Sequence, residues 1–484
     1  MKKINPLLLF VFLSFLSCGN ETQKENTSTS KKPNIIFLFS DDQSFKAVHA
    51  LGNNEIITPT MDKLVEDGTT FTHSYNMGGW NGAICVASRA MIISGRSVWR
   101  AQQVSRNYSK NVDLDKTWPR LMQTQGYETY MTGKWHVKAN ADSIFNHVGH
   151  VLRGMPFDTP EGYNRPLSVN DTLWKPWKKE FGGYWKGGKH WSELVKDDAV
   201  SFIDDASKKD NPFFMYIAFN APHDPRQSPK KYVDMYPLDS ISMPQSYMPL
   251  YPFAETMGAG KDLRDEKLAP FPRTEYAVKV NKQEYYAITT HLDDQLKEIL
   301  KTLEEKGLKE NTYIFFTSDH GLAIGEHGLM GKQNMYDHSI RVPLMVVGPN
   351  IPKGKKVDTD IYLQDIMATA LDIAGIKKPD YIEFNSFLNL AKGTETKNKY
   401  SSIYGVYEKG SQRMIRKNNF KLILYPKSKQ VLLYNLENDS LELNDIASKP
   451  ENATIIKLLF KDLIQLQKEK GDPLDLESIY KNII

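Results

Sequence analysis

Four short runs of large apolar residues do most to limit what this chain can become. They are Asn34–Phe39 (NIIFLF), Phe213–Phe219 (FFMYIAF), Tyr313–Thr317 (YIFFT) and Leu344–Val347 (LMVV). Each is apolar on both faces, and such a strand is stable only where both faces are covered. Helical patterns alternate with them, at Met61–Asp67, Trp118–Gln125, Glu193–Ala206, Gln283–Lys306 and Leu363–Ala374. Strands separated by helices predict an α/β core, with a large mixed, mostly parallel sheet sandwiched by helices. The strand ends share a habit. Asp41-Asp42, His223 and Asp319-His320 all follow a strand's C-terminal end. Open α/β sheets bind their ligands at that edge.

From about Lys399 the texture changes. SSIYGVYE, QRMIRKN, NFKLILY and VLLYNLEN read as short strands separated by turn residues, and Thr454–Lys470 has helical spacing. This predicts a smaller C-terminal antiparallel sheet closed by a helix. The expected organisation is a catalytic domain over 33–395 and an α+β subdomain over 396–484.

The chain carries 62 basic and 58 acidic side chains, a formal net charge of +4. That near balance gives no support to a protein that coats nucleic acid. Two cysteines in 484 residues exclude a disulfide scaffold. The first, Cys18, ends a segment that begins with Lys2 and Lys3 and continues as an apolar run from Leu7 to Leu16. The run is shorter than the roughly 20 residues a spanning helix needs and has the proportions of a signal-peptide core. Phe15-Leu16-Ser17-Cys18 resembles a bacterial lipobox. Two fates follow: lipidation of Cys18 with membrane attachment through that lipid, or simple cleavage of the signal. Both predict export, to the periplasm or as a lipoprotein anchored at the outer membrane. Residues 19–32 have no large apolar side chain and read as a flexible tether.

The second cysteine lies in NGAICVASRAMIISGR, residues 81–96. A helical run begins just after it, so Cys85 should sit near a helix N-terminus, where free N–H groups favour anions. Here the sequence resembles the type I, formylglycine-dependent sulfatases of the alkaline phosphatase superfamily. Cys85-Val86-Ala87-Ser88-Arg89 and Ser94-Gly95-Arg96 fit that family's Cys-x-Pro/Ala-Ser-Arg and following Gly-Arg elements. The resemblance implies an alkaline-phosphatase-like fold and sulfuric ester hydrolysis. It also implies oxidation of Cys85 to formylglycine by a separate maturation enzyme. The hydrate of that aldehyde has two hydroxyls on one carbon; one attacks sulfur, and the other then expels sulfate.

Further elements follow in the family's order. The resemblance makes Asp41, Asp42, Asp319 and His320 ligands of a metal ion that Cys85 also faces. Many relatives carry asparagine where His320 stands. Oxygen-rich donors suit Ca²⁺, with Mg²⁺ as runner-up. Thr132-Gly133-Lys134-Trp135-His136 implies that Lys134 binds sulfate oxygen and that His136 assists the aldehyde hydrate. Asn220-Ala221-Pro222-His223 implies that His223 protonates the leaving oxygen. Gly331-Lys332-Gln333-Asn334 implies that Lys332 bridges sulfate and leaving group. Arg89 completes the catalytic set.

For the substrate, residues 171–191 (DTLWKPWKKEFGGYWKGGKHW) interleave tryptophan with lysine. Trp174, Trp177 and Trp185 are expected to wall the substrate site by stacking on sugar rings, and His327 to face the substrate. The alternative for the tryptophans is a surface insertion whose rings pack on the core. The expected substrate is a sulfated carbohydrate, of the ulvan or carrageenan type. The rivals are a phosphonate, phosphodiester or choline-sulfate hydrolase of the same superfamily, and a glycan-binding lipoprotein without catalysis.

Overall fold

The computed structural model describes residues 31–484. Cys18 and the signal and tether segments up to residue 30 lie outside the described residues. Residues 32–484 form one compact unit. Its main sheet contains β1 (Asn34–Ser40), β2 (Thr69–Tyr75), β4 (Glu128–Lys134), β5 (His147–Leu152), β6 (Phe213–Ala218), β7 (Thr312–Ser318), β8 (Arg341–Val347), β9 (Lys355–Val357) and β10 (Ile361–Tyr362); β3 (Gly78–Gly79) belongs elsewhere. The strand order is β10-β2-β8-β7-β1-β6-β4-β5, with β9 also paired to β2. Only β8 runs antiparallel to its neighbours. The expected mixed, mostly parallel sheet is therefore present.

The four apolar runs are β1, β6, β7 and β8, and together they form the sheet's centre, in the order β8-β7-β1-β6. Along β1 the side chains alternate between faces. Ile35, Phe37 and Phe39 enter one core layer, and Ile36 and Leu38 enter the other. Each such side chain contributes about 1.5–3 kcal/mol on burial. The sheet is thus covered on both sides by helices, including Trp191–Ala206 and Glu275–Glu305 on the second face.

Strands β2, β4 and β5 are not legible as apolar runs, because they carry threonine, glutamate and histidine. In β4 the threonine hydroxyls are satisfied laterally. Thr132 Oγ1 donates to Asp198 at 2.6 Å, and Thr129 Oγ1 donates to Asn146 Oδ1 at 2.8 Å. A strand can be buried without being apolar when neighbours supply acceptors.

The second sheet has the order β14-β13-β12-β11-β3, with β11 (Ile403–Tyr407), β12 (Gln412–Lys417), β13 (Phe420–Tyr425) and β14 (Gln430–Asn435) antiparallel in sequence. The helix Ala453–Lys470 packs against it. β3 joins it in parallel with β11 through Val406 and Tyr407. That pairing ties the segment just before Cys85 to the C-terminal sheet. Among the described residues no helix is long and apolar enough to cross a membrane.

Candidate active site

Register places the site. Ser40 pairs with Ser318, and Phe39 with both Thr317 and Ala218. Ala218 also pairs with Gly133. The C-terminal ends of β7, β1, β6 and β4 therefore lie side by side, and Asp319, Asp41, the His223 loop and Lys134 emerge at one edge. Gly133 is required there. Its φ is +94°, and a Cβ would fall 1.8 Å from the carbonyl oxygen of Ala218. Trp135 anchors the next turn by packing edge-on against Tyr216 and Phe145 and donating Nε1–H to Ala139. Lys134 and His136 flank that anchor, and His136 takes a left-handed backbone, φ +54°.

Cys85 is the second residue of the helix Ile84–Ser94 and is buried. The N-cap, Ala83, supplies no side-chain cap, and the Val86 N–H donates to the Ala83 carbonyl at 3.0 Å. The helix ends at Gly95, whose left-handed conformation returns its N–H to Met91. Arg96 lies over the Tyr381 ring at 4.6 Å. The Ser94-Gly95-Arg96 element is thus a helix stop rather than part of the chemistry.

The charged groups meet in a buried network. Arg89 Nε donates to Asp319 Oδ2 at 2.9 Å, and its Nη1 donates to the Lys134 carbonyl at 2.6 Å. Lys332 Nζ donates to both oxygens of Asp42 at 2.7 Å. Lys134 Nζ donates to Asp41 Oδ2. The Cys85 sulfur lies 3.3 Å from His136 Nδ1, and His223 Nε2 lies 3.5 Å from Asp42 Oδ2. Burial, followed by the charges of Lys134, Arg89 and Lys332, pushes His136 down to about 2, so this imidazole is neutral. Burial works against ionisation of Asp319, but Arg89, Lys134 and Lys332 hold it well below the usual carboxylate range.

Asp41 behaves differently. Burial and then the neighbouring Asp319 charge raise it well above its ordinary value, despite Lys134. Its Oδ1 is buried without a partner. Two overlapping groups of donor atoms lie within 4.8 Å of one another: Asp41, Asp42 and His223, and Asp41, Cys85 and Asp319. An orphaned carboxylate oxygen among three carboxylates fits a hard cation. His320 stands outside both groups. Its Nδ1 is 2.7 Å from the Gly321 carbonyl, while its Nε2 is buried and unpartnered.

The network opens into a cleft of about 200 Å³. Cys85, His136, His223 and Lys332 line it, with Arg264 and Asp265 at its wall. Arg264 and Asp265 come from the long 240–273 segment and are absent from the expected catalytic set. Asp265 accepts from Gln333, beside Lys332. Their sequence signal was twofold: Leu263-Arg264-Asp265-Glu266 resembles an element of the sulfatases, and the Pro- and Met-rich stretch Ser240–Arg273 is long enough to be expected at a pocket mouth.

The expected substrate residues go elsewhere. None of the tryptophans lines this cleft. Trp174 stacks on Phe181 and lies against Arg165; Trp185 is buried and donates to the Pro176 carbonyl. Trp177 is half-buried, between Lys175 and Lys230, and with Trp174 lines a separate cleft of about 400 Å³. The segment is apolar enough to pack on itself, and that packing uses its rings. His327 is also turned away from the cleft: it stacks on Tyr336 at 4.0 Å, and its Nε2 meets the Glu442 carbonyl. Trp185→Ala is expected to lower stability by about 3–5 kcal/mol, measured as a shift of the denaturant midpoint. A loss under about 1 kcal/mol would show that this ring is not part of the core.

Comparison with known proteins decides the family. The sequence profile of the family named Sulfatase matches residues 33–376, well over half of the chain.

The chain belongs to the sulfatase family.

A second profile, N-sulphoglucosamine sulphohydrolase, C-terminal, matches residues 325–469 of this sulfatase. An ulvan-active sulfatase of Formosa agariphila is 26% identical over 496 residues, spanning 99% of this chain and 89% of the relative. Among solved structures, one determined with its substrate D-glucosamine-2-N,6-O-disulfate superposes with a TM-score of 0.72 and 23% identity, covering 92% of this chain and 99% of that one. A phosphonate monoester hydrolase from Silicibacter pomeroyi superposes with a TM-score of 0.73 at 17% identity, covering 91% and 96%. Likeness at these identities shows the alkaline-phosphatase-like fold alone. The family assignment makes this sulfatase a sulfuric ester hydrolase, and it implies a formylglycine and a metal in the site.

Proposed function

We propose that the protein is an exported sulfatase that removes sulfate esters from a carbohydrate, an ulvan- or carrageenan-type glycan or its oligosaccharides. The observation that carries the chemistry is the meeting of Cys85, three buried cations and three buried carboxylates at one cleft. The similarity to an ulvan-active sulfatase supports the glycan class. The signal-like N-terminus supports export, with Cys18 as the point of lipid attachment.

Asp41, Asp42 and Asp319 would hold a calcium ion, whose charge would draw on the sulfate oxygens. As formylglycine, residue 85 would supply the hydroxyl that attacks sulfur. The remaining work falls to the chain. Arg89 fixes Asp319 and the Lys134 backbone. Lys134 and Lys332 present ammonium groups to the sulfate oxygens. His136, kept neutral, accepts a proton at Nδ1 from the group on residue 85. His223 gives a proton from Nε2 to the leaving oxygen, which a sugar alkoxide requires.

Mass spectrometry of the Cys85 peptide from the native host tests the modification. The expected mass is that of formylglycine, and unmodified cysteine would overturn the reading. A panel of sulfated oligosaccharides tests the substrate. Release of sulfate from none of them, with hydrolysis of a phosphonate ester instead, would favour the phosphonate hydrolase reading.

Metal removal gives a further prediction. Chelation is expected to lower activity at least about 100-fold and to lower the unfolding midpoint. At a hundredfold excess over its dissociation constant, calcium should add about 2.7 kcal/mol of stability. If calcium restores neither the midpoint nor activity, the carboxylates do not hold that ion.

A further inference from the structure

The tryptophan-rich segment misses the cleft, yet it grips the loop that carries His223. Just before that segment, Tyr163 Oη donates to Asp224 Oδ2. Tyr184 is fully buried, with its hydroxyl 3.0 Å from the carbonyl oxygen of His223 and 3.1 Å from that of Asn220. Its backbone N–H donates to Gln227 Oε1 at 2.7 Å. Asn220 is fixed from its other side by donating to the Arg153 carbonyl at 2.7 Å.

His223 Nδ1 lies 2.9 Å from Asp224 Oδ1 and 2.9 Å from the Asp224 carbonyl oxygen. Both neighbours are acceptors, so Nδ1 must carry hydrogen. That leaves Nε2, on the cleft side, as the nitrogen that exchanges a proton with substrate. The other oxygen of Asp224 is taken by Tyr163, and Arg264 stands 3.6 Å from Oδ1. Asp224 is buried, so neither contact competes with bulk water.

We propose that Asp224 is a positioning residue that fixes the tautomer and direction of His223, and that Tyr163 holds Asp224 in place. The inserted segment then serves catalysis by bracing the proton donor instead of stacking on sugar. This rests on the reading of His223 as the donor to the leaving oxygen.

Asp224→Asn is the direct test. An asparagine has one acceptor oxygen and a donating amide, so it cannot accept from both Tyr163 Oη and His223 Nδ1. The leaving group separates positioning from general damage. A sugar sulfate needs its leaving oxygen protonated; a nitrophenyl sulfate does not. With matured enzyme, Asp224→Asn is expected to lose about 10- to 100-fold in kcat on the sugar sulfate, and less than about threefold on the nitrophenyl ester. KM should move less than about threefold on either. Tyr163→Phe keeps the ring and should show the same selectivity with a smaller loss, about 3- to 10-fold.

Imidazole nitrogen NMR gives a readout independent of turnover: the neutral ring of His223 should be the Nδ1–H tautomer in the wild type, and that preference should weaken in Asp224→Asn, where only the backbone carbonyl of residue 224 still accepts from Nδ1. Equal losses on both esters, no loss on either, or a wild-type His223 whose Nδ1 carries no hydrogen would overturn the proposal. If Asp224→Asn does not fold, Tyr163→Phe decides. A wild type inactive on both esters would sink the functional reading instead, and the NMR would then judge the proposal alone.

Discussion

Cys85→Ala is expected to abolish turnover, with kcat falling by on the order of 10⁴-fold or more, while stability changes by only about 1 kcal/mol. The first half follows from position. Cys85 sits at the N-terminus of its helix with His136 Nδ1 3.3 Å from its sulfur, and among the described residues no other thiol or hydroxyl side chain lines the cleft. The second half follows from size. A buried thiol behaves as a small hydrophobe, and alanine removes one atom from the packing. Initial rates on a sulfate ester and a thermal midpoint check both halves. Residual kcat within tenfold of wild type would refute the assignment of residue 85 as the source of the nucleophile.

Asp319→Ala is expected to cost about 3–5 kcal/mol as well as activity. Asp319 and Arg89 are fully buried and joined at 2.9 Å. In the wild type Asp319 offsets the burial that works against the Arg89 charge, and a guanidinium cannot escape the loss of that partner by deprotonation. Removing the carboxylate leaves a buried cation beside Lys134. The substitution also removes the acceptor of the Asp42 backbone N–H. The check is a denaturant midpoint at unchanged slope. Adding Arg89→Met should recover part of the loss, because the uncompensated charge goes with it. A loss below about 1 kcal/mol in the single variant would show that water or another anion replaces Asp319.

The clustering of the charged site residues was legible for a physical reason. Parallel strands point their C-terminal ends to one edge, so polar residues just after several apolar runs must come together. Asp41, His223 and Asp319 follow β1, β6 and β7, which are neighbours. Lys134 was found through its motif alone, because β4 is polar and hides its strand. Asp224 was passed over beside His223, since an aspartate before proline reads as an ordinary turn residue. Tyr163 had no signal at all: 61 residues separate it from its partner.

The amino-acid order by itself determined the layered α/β core, the small second sheet and the identity of the charged set, because apolar period and side-chain chemistry are local properties. Tertiary structure decided who meets whom. It paired Arg89 with an aspartate 230 positions away, left Asp41 Oδ1 without a partner, and stacked His327 on Tyr336. It also turned the tryptophan segment from a substrate wall into a brace. Those outcomes depend on strand order, register and which rings fill the space between elements. They are relations between distant segments, and no local pattern carries them.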